Sequence, residues 1–167
     1  EGHTDAVWSL AMVDSQTFIS VSKDGTIKLW EIDKDTALRT YECHRLHYHD
    51  VALAMLDSQT FISGSDDNTI KLWNIDMHTA LCTYKGHTKC VGALAMVDYR
   101  TFISGSIDNT INLWKIDMKM DKNTALRTYE GHTDAVWSLA MVDSQTFISG
   151  SKDKTIKLWK IDKDRAL

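Results

Sequence analysis

Short apolar segments alternate with polar turns along the whole chain. In the first 42 residues they are AVWSLAMV (6–13), TFISVS (17–22), TIKLWEI (26–32) and ALRTYE (37–42). No window carries an apolar stripe with the 3.6-residue period of a helix. Segments of this length, bounded by Asp, Ser and Gly, are typical of strands. The pattern therefore predicts an all-β fold.

The same order of four segments occurs four times. The third segment of each copy ends in TIKLW or TINLW, and the tryptophans are separated by 43, 41 and 45 residues. The extra residues of the second and third copies fall in the connections HRLHYHD and DMKMDKN, outside the apolar segments. A period of this size is typical of repeat architectures. We predict four repeats, at residues 1–41, 42–84, 85–129 and 130–167.

Polarity rises from the first segment of each repeat to the fourth. The first is almost continuously apolar, which is expected of a strand covered on both faces. The fourth alternates, with Leu38 and Thr40 set against Arg39 and Tyr41, as in a strand at an exposed edge. A four-stranded antiparallel sheet whose first strand lies near a central axis explains this gradient. The sequence thus predicts the blades of a β-propeller, four in this chain.

The residues GH…AVWSLAMV…FISGSKDKTIKLW (131–159) resemble the WD-repeat β-propeller family, and the resemblance covers the whole chain. Two features depart from the family pattern. The Asp that follows the tryptophan is replaced by Glu31, Asn74, Lys115 and Lys160. In the second repeat, Cys43 stands in place of the glycine of the Gly-His pair.

The resemblance implies a structural tetrad of His, Ser, Asp and Trp in each repeat. Such residues can form a hydrogen-bonded chain in which the hydroxyl links the imidazole to the indole N–H and the carboxylate accepts from the other ring nitrogen. In the second repeat, His47 is an alternative to His44. The four sets are His3, Ser20, Asp24 and Trp30; His44, Ser63, Asp67 and Trp73; His87, Ser104, Asp108 and Trp114; and His132, Ser149, Asp153 and Trp159.

Ser, His and Asp could also form a nucleophilic triad, but the pattern favours a non-enzyme. The trio recurs in every repeat, always with a Trp, and without a glycine-flanked turn for a nucleophile. The cluster Cys43, His44, His47 and His49 has zinc or copper ligand types, but no second group completes a known metal motif. We therefore predict no metal and no cofactor, with a metal-binding propeller as an alternative.

Composition limits the classes of partner and the cellular location. Lys and Arg total 19 against 23 for Asp and Glu, which gives a net charge of −4 and argues against nucleic-acid binding. No apolar stretch is long enough to cross a bilayer, so no membrane association is expected. Three cysteines in 167 residues do not make a disulfide framework. We expect an intracellular, cytoplasmic protein.

Six residues are candidates for binding a protein partner on the top face, which we define as the face carrying the turn before each tetrad Asp. Trp8 and Trp137 occupy matching places early in the innermost strand, where they either pack between blades or form an aromatic anchor. In the family that the chain resembles, the residue before the tetrad Asp faces this surface. At that position the four repeats have Lys23, Asp66, Ile107 and Lys152.

The first and fourth repeats are nearly the same, with 32 identities between residues 1–35 and 130–164. Four blades of this family subtend about half a circle, so we predict that a second chain completes an eight-bladed ring as a homodimer. A slice of a longer propeller and a four-bladed ring are the alternatives. The predicted function is a non-enzymatic protein–protein interaction scaffold. A duplicated or engineered half-propeller without a selected partner, and a ligand-binding propeller, remain alternatives.

Overall fold

The computed structural model describes residues 2–43, 52–117, 123–163 and 165–167. Within these residues there are fifteen strands, arranged in four antiparallel sheets, and no helix. Each sheet consists of strands that follow one another in the chain, so each pairs only with its sequence neighbours. The predicted all-β fold with four sheets is confirmed. Among the described residues, no helix is long and apolar enough to span a membrane.

We call each sheet a blade and number its strands in chain order. Blade 1 contains β1 Val7–Met12, β2 Thr17–Ser22, β3 Thr26–Glu31 and β4 Arg39–Glu42. Blade 2 contains β5 Leu53–Met55, β6 Thr60–Gly64, β7 Thr69–Asn74 and β8 Cys82–Lys85. Blade 3 contains β9 Val91–Asp98, β10 Thr101–Ser106, β11 Ile111–Lys115 and β12 Arg127–Tyr129. Blade 4 contains β13 Val136–Asp143, β14 Thr146–Ser151 and β15 Ile156–Lys160, followed by a bridge between Trp159 and Ala166.

The turn between the second and third strands has the same geometry in all four blades. In blade 1 the amide of Gly25 donates to the carbonyl of Ser22 at 3.2 Å. Gly25, Asn68, Asn109 and Lys154 occupy the equivalent position, with φ between 69° and 83°. Glycine and asparagine tolerate this left-handed conformation, whereas a lysine is strained there. The turn thus brings the tetrad Asp, one residue earlier, to the same place in each blade.

The hydrophobic core lies between neighbouring blades, in three clusters. Each cluster joins aliphatic and Tyr side chains of one blade to Phe and Trp side chains of the next. Between blades 3 and 4, for example, Ile103, Ile111 and Tyr129 pack against Phe147 and Trp159. Burying these faces is the main stabilisation available to a stack of sheets.

Burial along the innermost strands departs from the sequence expectation. In blades 3 and 4, Val91 and Val136 are fully buried against the preceding blade. In blade 1, the equivalent Val7 is 49% exposed, and Leu10 and Met12 are exposed as well. The continuous apolar pattern of β1 therefore does not reflect burial on both faces within one chain, because no described residue covers blade 1 on its outer side.

Candidate functional site

The predicted residues of blade 4 form one hydrogen-bonded chain. The indole Nε1–H of Trp159 donates to Ser149 Oγ at 2.7 Å, and Ser149 Oγ lies 2.7 Å from His132 Nε2. On the other side of the ring, His132 Nδ1 lies 2.7 Å from Asp153 Oδ2. Because Ser149 Oγ accepts from the indole, its own proton is free to donate to Nε2. This fits a neutral imidazole that donates from Nδ1 to the carboxylate.

Blades 1 and 3 repeat this geometry. His3 lies 2.8 Å from Asp24 and 2.6 Å from Ser20, which accepts from Trp30 at 2.7 Å. In blade 3 the matching distances, for His87 to Asp108, His87 to Ser104 and Trp114 to Ser104, are 2.8, 2.7 and 2.7 Å. The structure thus brings together the residues predicted for three of the four sets. The serines in these sets are buried, so their hydroxyls face protein groups rather than solvent.

The tetrad aspartates also organise the turn that carries them. Asp24 accepts hydrogen bonds from the amide and hydroxyl of Thr26 and from the amide of Thr4. Burial by itself raises the pKa of Asp24, but these hydrogen bonds, together with that from His3, outweigh it and lower the pKa to about 2. The same balance of burial against hydrogen bonds lowers the pKa values of Asp108 and Asp153. These carboxylates are therefore held in the charged form.

Blade 2 is described only in part. Trp73 Nε1–H donates to Ser63 Oγ at 2.9 Å, and Asp67 accepts from the amide and hydroxyl of Thr69. His44 and His47, the candidates for the imidazole, lie outside the described residues, as does His49 of the candidate metal cluster.

Cys43, the described member of that cluster, is buried in the core between blades 1 and 2. Burial raises the pKa of its thiol to about 12, and a hydrogen bond with Ser63 lowers it only in part. The thiol is therefore protonated at neutral pH and is a poor metal ligand in this state. Within the described ranges, no group of three His, Cys, Asp or Glu residues could hold a metal ion.

The four residues that precede the tetrad aspartates occupy equivalent turns. The amide of Lys23 donates to Ala6 O, that of Ile107 to Cys90 O and that of Lys152 to Ala135 O. The Lys23 and Lys152 side chains are exposed, whereas Asp66 and Ile107 are partly buried. Lys152 Nζ lies 4.0 Å from Asp134 Oδ2. The top face of the end blades is therefore basic at these turns.

The two candidate tryptophans have different surroundings. The ring of Trp137 lies over Gly92 of blade 3, where a Cβ atom would approach it to 2.8 Å. Trp8 occupies the same place in blade 1 and is 38% exposed. Both line a channel of about 350 Å³ together with residues of all four innermost strands. Trp137 thus packs between blades, while Trp8 presents its ring to the open side.

Tyrosines of the fourth strands join each blade to the next, a role that sequence reasoning missed. Tyr41 lies edge-on to Phe61, Tyr84 to Phe102 and Tyr129 to Phe147, with centroid distances of 5.6, 5.2 and 5.1 Å. The hydroxyl groups of Tyr41 and Tyr129 donate to the carbonyls of Ile75 and Ile161, at 2.7 and 2.9 Å. The signal that could have revealed this role is the recurrence of Tyr at one position of an otherwise polar strand.

The outer faces of the two end blades are open and apolar. In blade 4, Ile148, Ile156 and Leu158 are exposed, and Ile156 reaches 78%. The equivalent isoleucines and leucines of blades 1 to 3 are buried under the following blade. Blade 1 exposes Val7, Leu10 and Met12 at the other end of the stack. The described residues thus form an open arc of four blades with two uncovered ends.

Comparison with known families identifies the repeat. The profile of the family described as "WD domain, G-beta repeat" matches residues 1–31, 36–74, 78–115 and 123–160. The chain belongs to the WD40 repeat family. Proteins of this family are generally non-catalytic scaffolds for protein interactions, and the tetrad geometry described above is the form that the family signature takes in this WD40 protein.

Similar WD40 proteins match this chain over limited lengths. The probable E3 ubiquitin ligase complex SCF subunit scon-2 of Neurospora crassa is 43% identical over 54 residues, which are 32% of this chain and 8% of scon-2. Protein DOA1 of Saccharomyces cerevisiae is 45% identical over 51 residues, which are 30% of this chain and 7% of DOA1. The matched segments therefore span less than a tenth of either curated relative.

Solved structures match over nearly the whole chain. The computationally designed Ika4 protein aligns with a TM-score of 0.80 and 34% identity, and the alignment covers 96% of this chain and 94% of Ika4. The WD40 β-propeller domain of Doa1 aligns with a TM-score of 0.84 and 27% identity, covering 98% of this chain and 53% of that one. Four blades of this WD40 chain thus correspond to about half of the Doa1 propeller domain.

Proposed function

We propose that the protein is a non-enzymatic interaction scaffold that works as a closed ring of two copies. The observation that carries this proposal is the match between its two uncovered faces. Blade 1 exposes the side of a blade that blade 4 buries against blade 3, and blade 4 exposes the side that blade 3 buries against blade 4. Contiguous apolar faces of this kind are rare on isolated chains.

Valine–glycine contacts supply the local fit. A Cβ on Gly105 would lie 2.8 Å from Val136 Cγ1, and a Cβ on Gly64 would lie equally close to Val91. Each valine therefore occupies the space left by a glycine of the preceding blade. Gly150 is the equivalent glycine of blade 4, and the nearest atom to its Cβ position is Ser138 Cβ of its own blade, at 3.6 Å. Val7 of a second copy has the identity and position to occupy that space.

Near-identity of the end repeats makes a second copy the favoured occupant. Leu139 and Met141 of blade 4 pack against the cluster shared with blade 3. Their counterparts in blade 1 are Leu10 and Met12, which are the same residue types and are exposed. Blade 1 thus offers blade 4 of another copy the surface that blade 3 accepts from blade 4. Two copies around a two-fold axis form two such junctions and leave no open face.

Light scattering with matched variants tests the ring. The wild-type protein should have twice the single-chain mass of 19.0 kDa. Gly150→Val fills the space intended for Val7, and this variant should remain a folded single chain, with an unchanged far-ultraviolet circular dichroism spectrum. Tyr99→Ser, an exposed position of blade 3 away from both open faces, should leave the dimer intact. A single-chain mass for the wild type at micromolar to millimolar concentration would contradict the ring.

We also propose that a protein partner docks on the top face of the ring. Support comes from the exposed side chains of Trp8, Lys23 and Lys152 and from the general use of WD40 proteins as interaction scaffolds. Asp66, Ile107 and Trp137 complete the proposed surface, with Trp137 held against blade 3. The acidic side chains that would pair with the two lysines identify the complementary partner surface as an acidic one.

Cross-linking from the top face tests partner binding. A photoreactive group placed at Lys23 should capture a defined protein from cell extract, and Trp8→Ala should reduce that capture several-fold. Tyr99→Ser serves as the matched control and should leave it unchanged. Equal capture by wild type and Trp8→Ala would remove Trp8 from the interface. An intracellular setting is part of the proposal, since Cys43, Cys82 and Cys90 are all unpaired thiols.

A further inference from the structure

The outer edge of β15 differs from that of every other third strand. In blades 1, 2 and 3, a fourth strand pairs with this edge and places a tyrosine opposite an isoleucine, as Ile27 with Tyr41 and Ile111 with Tyr129. In blade 4 the pairing only begins: Trp159 bridges to Ala166, and the amide of Leu167 donates to Leu158 O at 2.8 Å. Ile156, which would face the tyrosine, is 78% exposed.

We propose that this edge is a binding site for an extended peptide that carries a tyrosine. The peptide adds to β15 as an antiparallel fourth strand, with its tyrosine opposite Ile156. An unpaired strand edge offers a row of backbone donors and acceptors, and β-strand addition is a recurrent mode of peptide recognition. The three complete blades give the register and therefore the favoured sequence, Arg-Thr-Tyr-Glu, which β4 has and β12 begins.

An aromatic pocket on blade 1 supplies the second half of the site, and this half rests on the proposed ring. Phe18 and Trp30 are stacked with centroids 6.1 Å apart, as Phe147 and Trp159 are at 6.0 Å. The latter pair holds Tyr129, whereas Phe18 and Trp30 are only partly buried and hold no described tyrosine. The Ile32 carbonyl matches the Ile161 carbonyl that accepts from Tyr129. A cavity of about 300 Å³ adjoins Phe18 and Ile32.

A second copy of the described chain does not fill this site. Its fourth-strand tyrosines, Tyr41, Tyr84 and Tyr129, are already buried in junctions of their own. The occupant is therefore a separate extended segment. Lys154 and Lys157 stand at or beside the edge, so an acidic residue after the tyrosine is favoured, as in Glu42 and Glu130.

A peptide titration tests the site. A fluorescein-labelled copy of residues 126–131, Leu-Arg-Thr-Tyr-Glu-Gly, is titrated with the purified protein and followed by anisotropy. We expect saturable binding, at least tenfold weaker binding for the Tyr→Ala peptide, and about fivefold weaker binding for the Tyr→Phe peptide, which loses one hydrogen bond. A peptide with Pro in place of Thr should not bind, because proline removes a ladder donor and cannot follow the strand geometry.

Two protein variants locate the binding. Ile156→Lys changes an exposed side chain and should weaken binding without unfolding the protein. Addition of Arg-Thr-Tyr-Glu after Leu167 should fill the edge from the same chain and abolish binding. Absence of saturable binding, or equal affinity of the Tyr and Ala peptides, would overturn the site. Light scattering on the same samples separates the proposals: tyrosine-dependent binding to a single chain retains the edge site and rejects the ring, while a dimer that binds no peptide does the reverse.

Discussion

The phenol ring of Tyr129 in blade 3 stands edge-on to the ring of Phe147 in blade 4, with centroids 5.1 Å apart and an interplanar angle of 82°. Its hydroxyl donates to the carbonyl of Ile161, also in blade 4. One side chain thus makes an aromatic contact and a hydrogen bond across a blade junction. These junctions contain the core of the protein, so the tyrosines contribute directly to cooperativity between blades.

Removing single hydroxyl groups should separate the three junctions. Tyr41→Phe and Tyr129→Phe each lose one inter-blade hydrogen bond and should lower the free energy of unfolding by about 1 kcal/mol. The hydroxyl of Tyr84 is buried without a hydrogen-bond partner in the described structure, so Tyr84→Phe should be neutral or stabilising. Urea denaturation of the three variants checks this order. An equal loss in all three would show that Tyr84 has a partner after all.

Serine removal should reveal the structural role of the tetrad. Ser149→Ala leaves the indole N–H of Trp159 and one nitrogen of His132 without a buried partner. We expect the free energy of unfolding to fall by about 2 kcal/mol, since unpaired buried polar groups cost more than a hydrogen bond contributes. Thermal denaturation measures the loss, and Ser144→Ala, an exposed site in the same blade, is the control. Wild-type stability for Ser149→Ala would contradict a structural role.

Stability should fall in acid because of the tetrad aspartates. The pKa of Asp24 is about 2 in the folded protein, against an ordinary value of 3.8, and the pKa values of Asp108 and Asp153 are also lowered. The unfolded chain therefore binds more protons than the folded one below about pH 4. The stabilisation is complete above about pH 5 and is lost as the pH falls toward about 2.

Urea midpoints measured between pH 5 and pH 2 test this sign, and Asp108→Asn identifies the source. The variant lacks one of the low-pKa carboxylates, so its midpoint should be lower than that of the wild type at pH 5 and should decline less steeply with acid. Parallel acid profiles for the two proteins would assign the effect to other carboxylates.

The strained turn of blade 4 offers a stabilising substitution. Lys154 has a φ of 71° where the other blades have Gly25, Asn68 and Asn109. Lys154→Asn should raise the free energy of unfolding by roughly 0.5–1 kcal/mol, because asparagine tolerates the left-handed region better. Gly25→Lys places the lysine in the same turn of blade 1 and should have the opposite effect. Melting temperatures decide the matter, with Lys152→Asn as the neighbouring control; a lower melting temperature for Lys154→Asn would refute the strain.

Most of the strand pattern could be predicted from the sequence, because alternation and repetition are local signals. The segment predicted at 17–22 coincides with β2, and that at 26–32 differs from β3 by one residue. The meeting of His132, Ser149, Asp153 and Trp159 followed from a family resemblance, since spacing alone does not reveal which side chains converge. Their structural role remains a prediction.

Contacts between blades were less accessible to sequence reasoning. The polar surroundings of Tyr41 suggested an exposed edge, yet its ring is fully buried by a blade that starts after a connection of variable length. Similarly, the apolar character of β1 reflects a face that one chain leaves uncovered. Both cases depend on which sheet lies beside which, and periodicity within a strand does not contain that information.

The match between Val7 and the space at Gly150 joins unlike surfaces, one at each end of the arc. Such a head-to-tail contact ends in a closed pair only when four blades turn through half a circle. A substitution that altered the angle between two blades by a few degrees would leave each contact intact while preventing the ends from meeting. Successive copies would then wind into a filament, so the glycines that set the blade spacing also determine whether this protein circulates as a particle or polymerises.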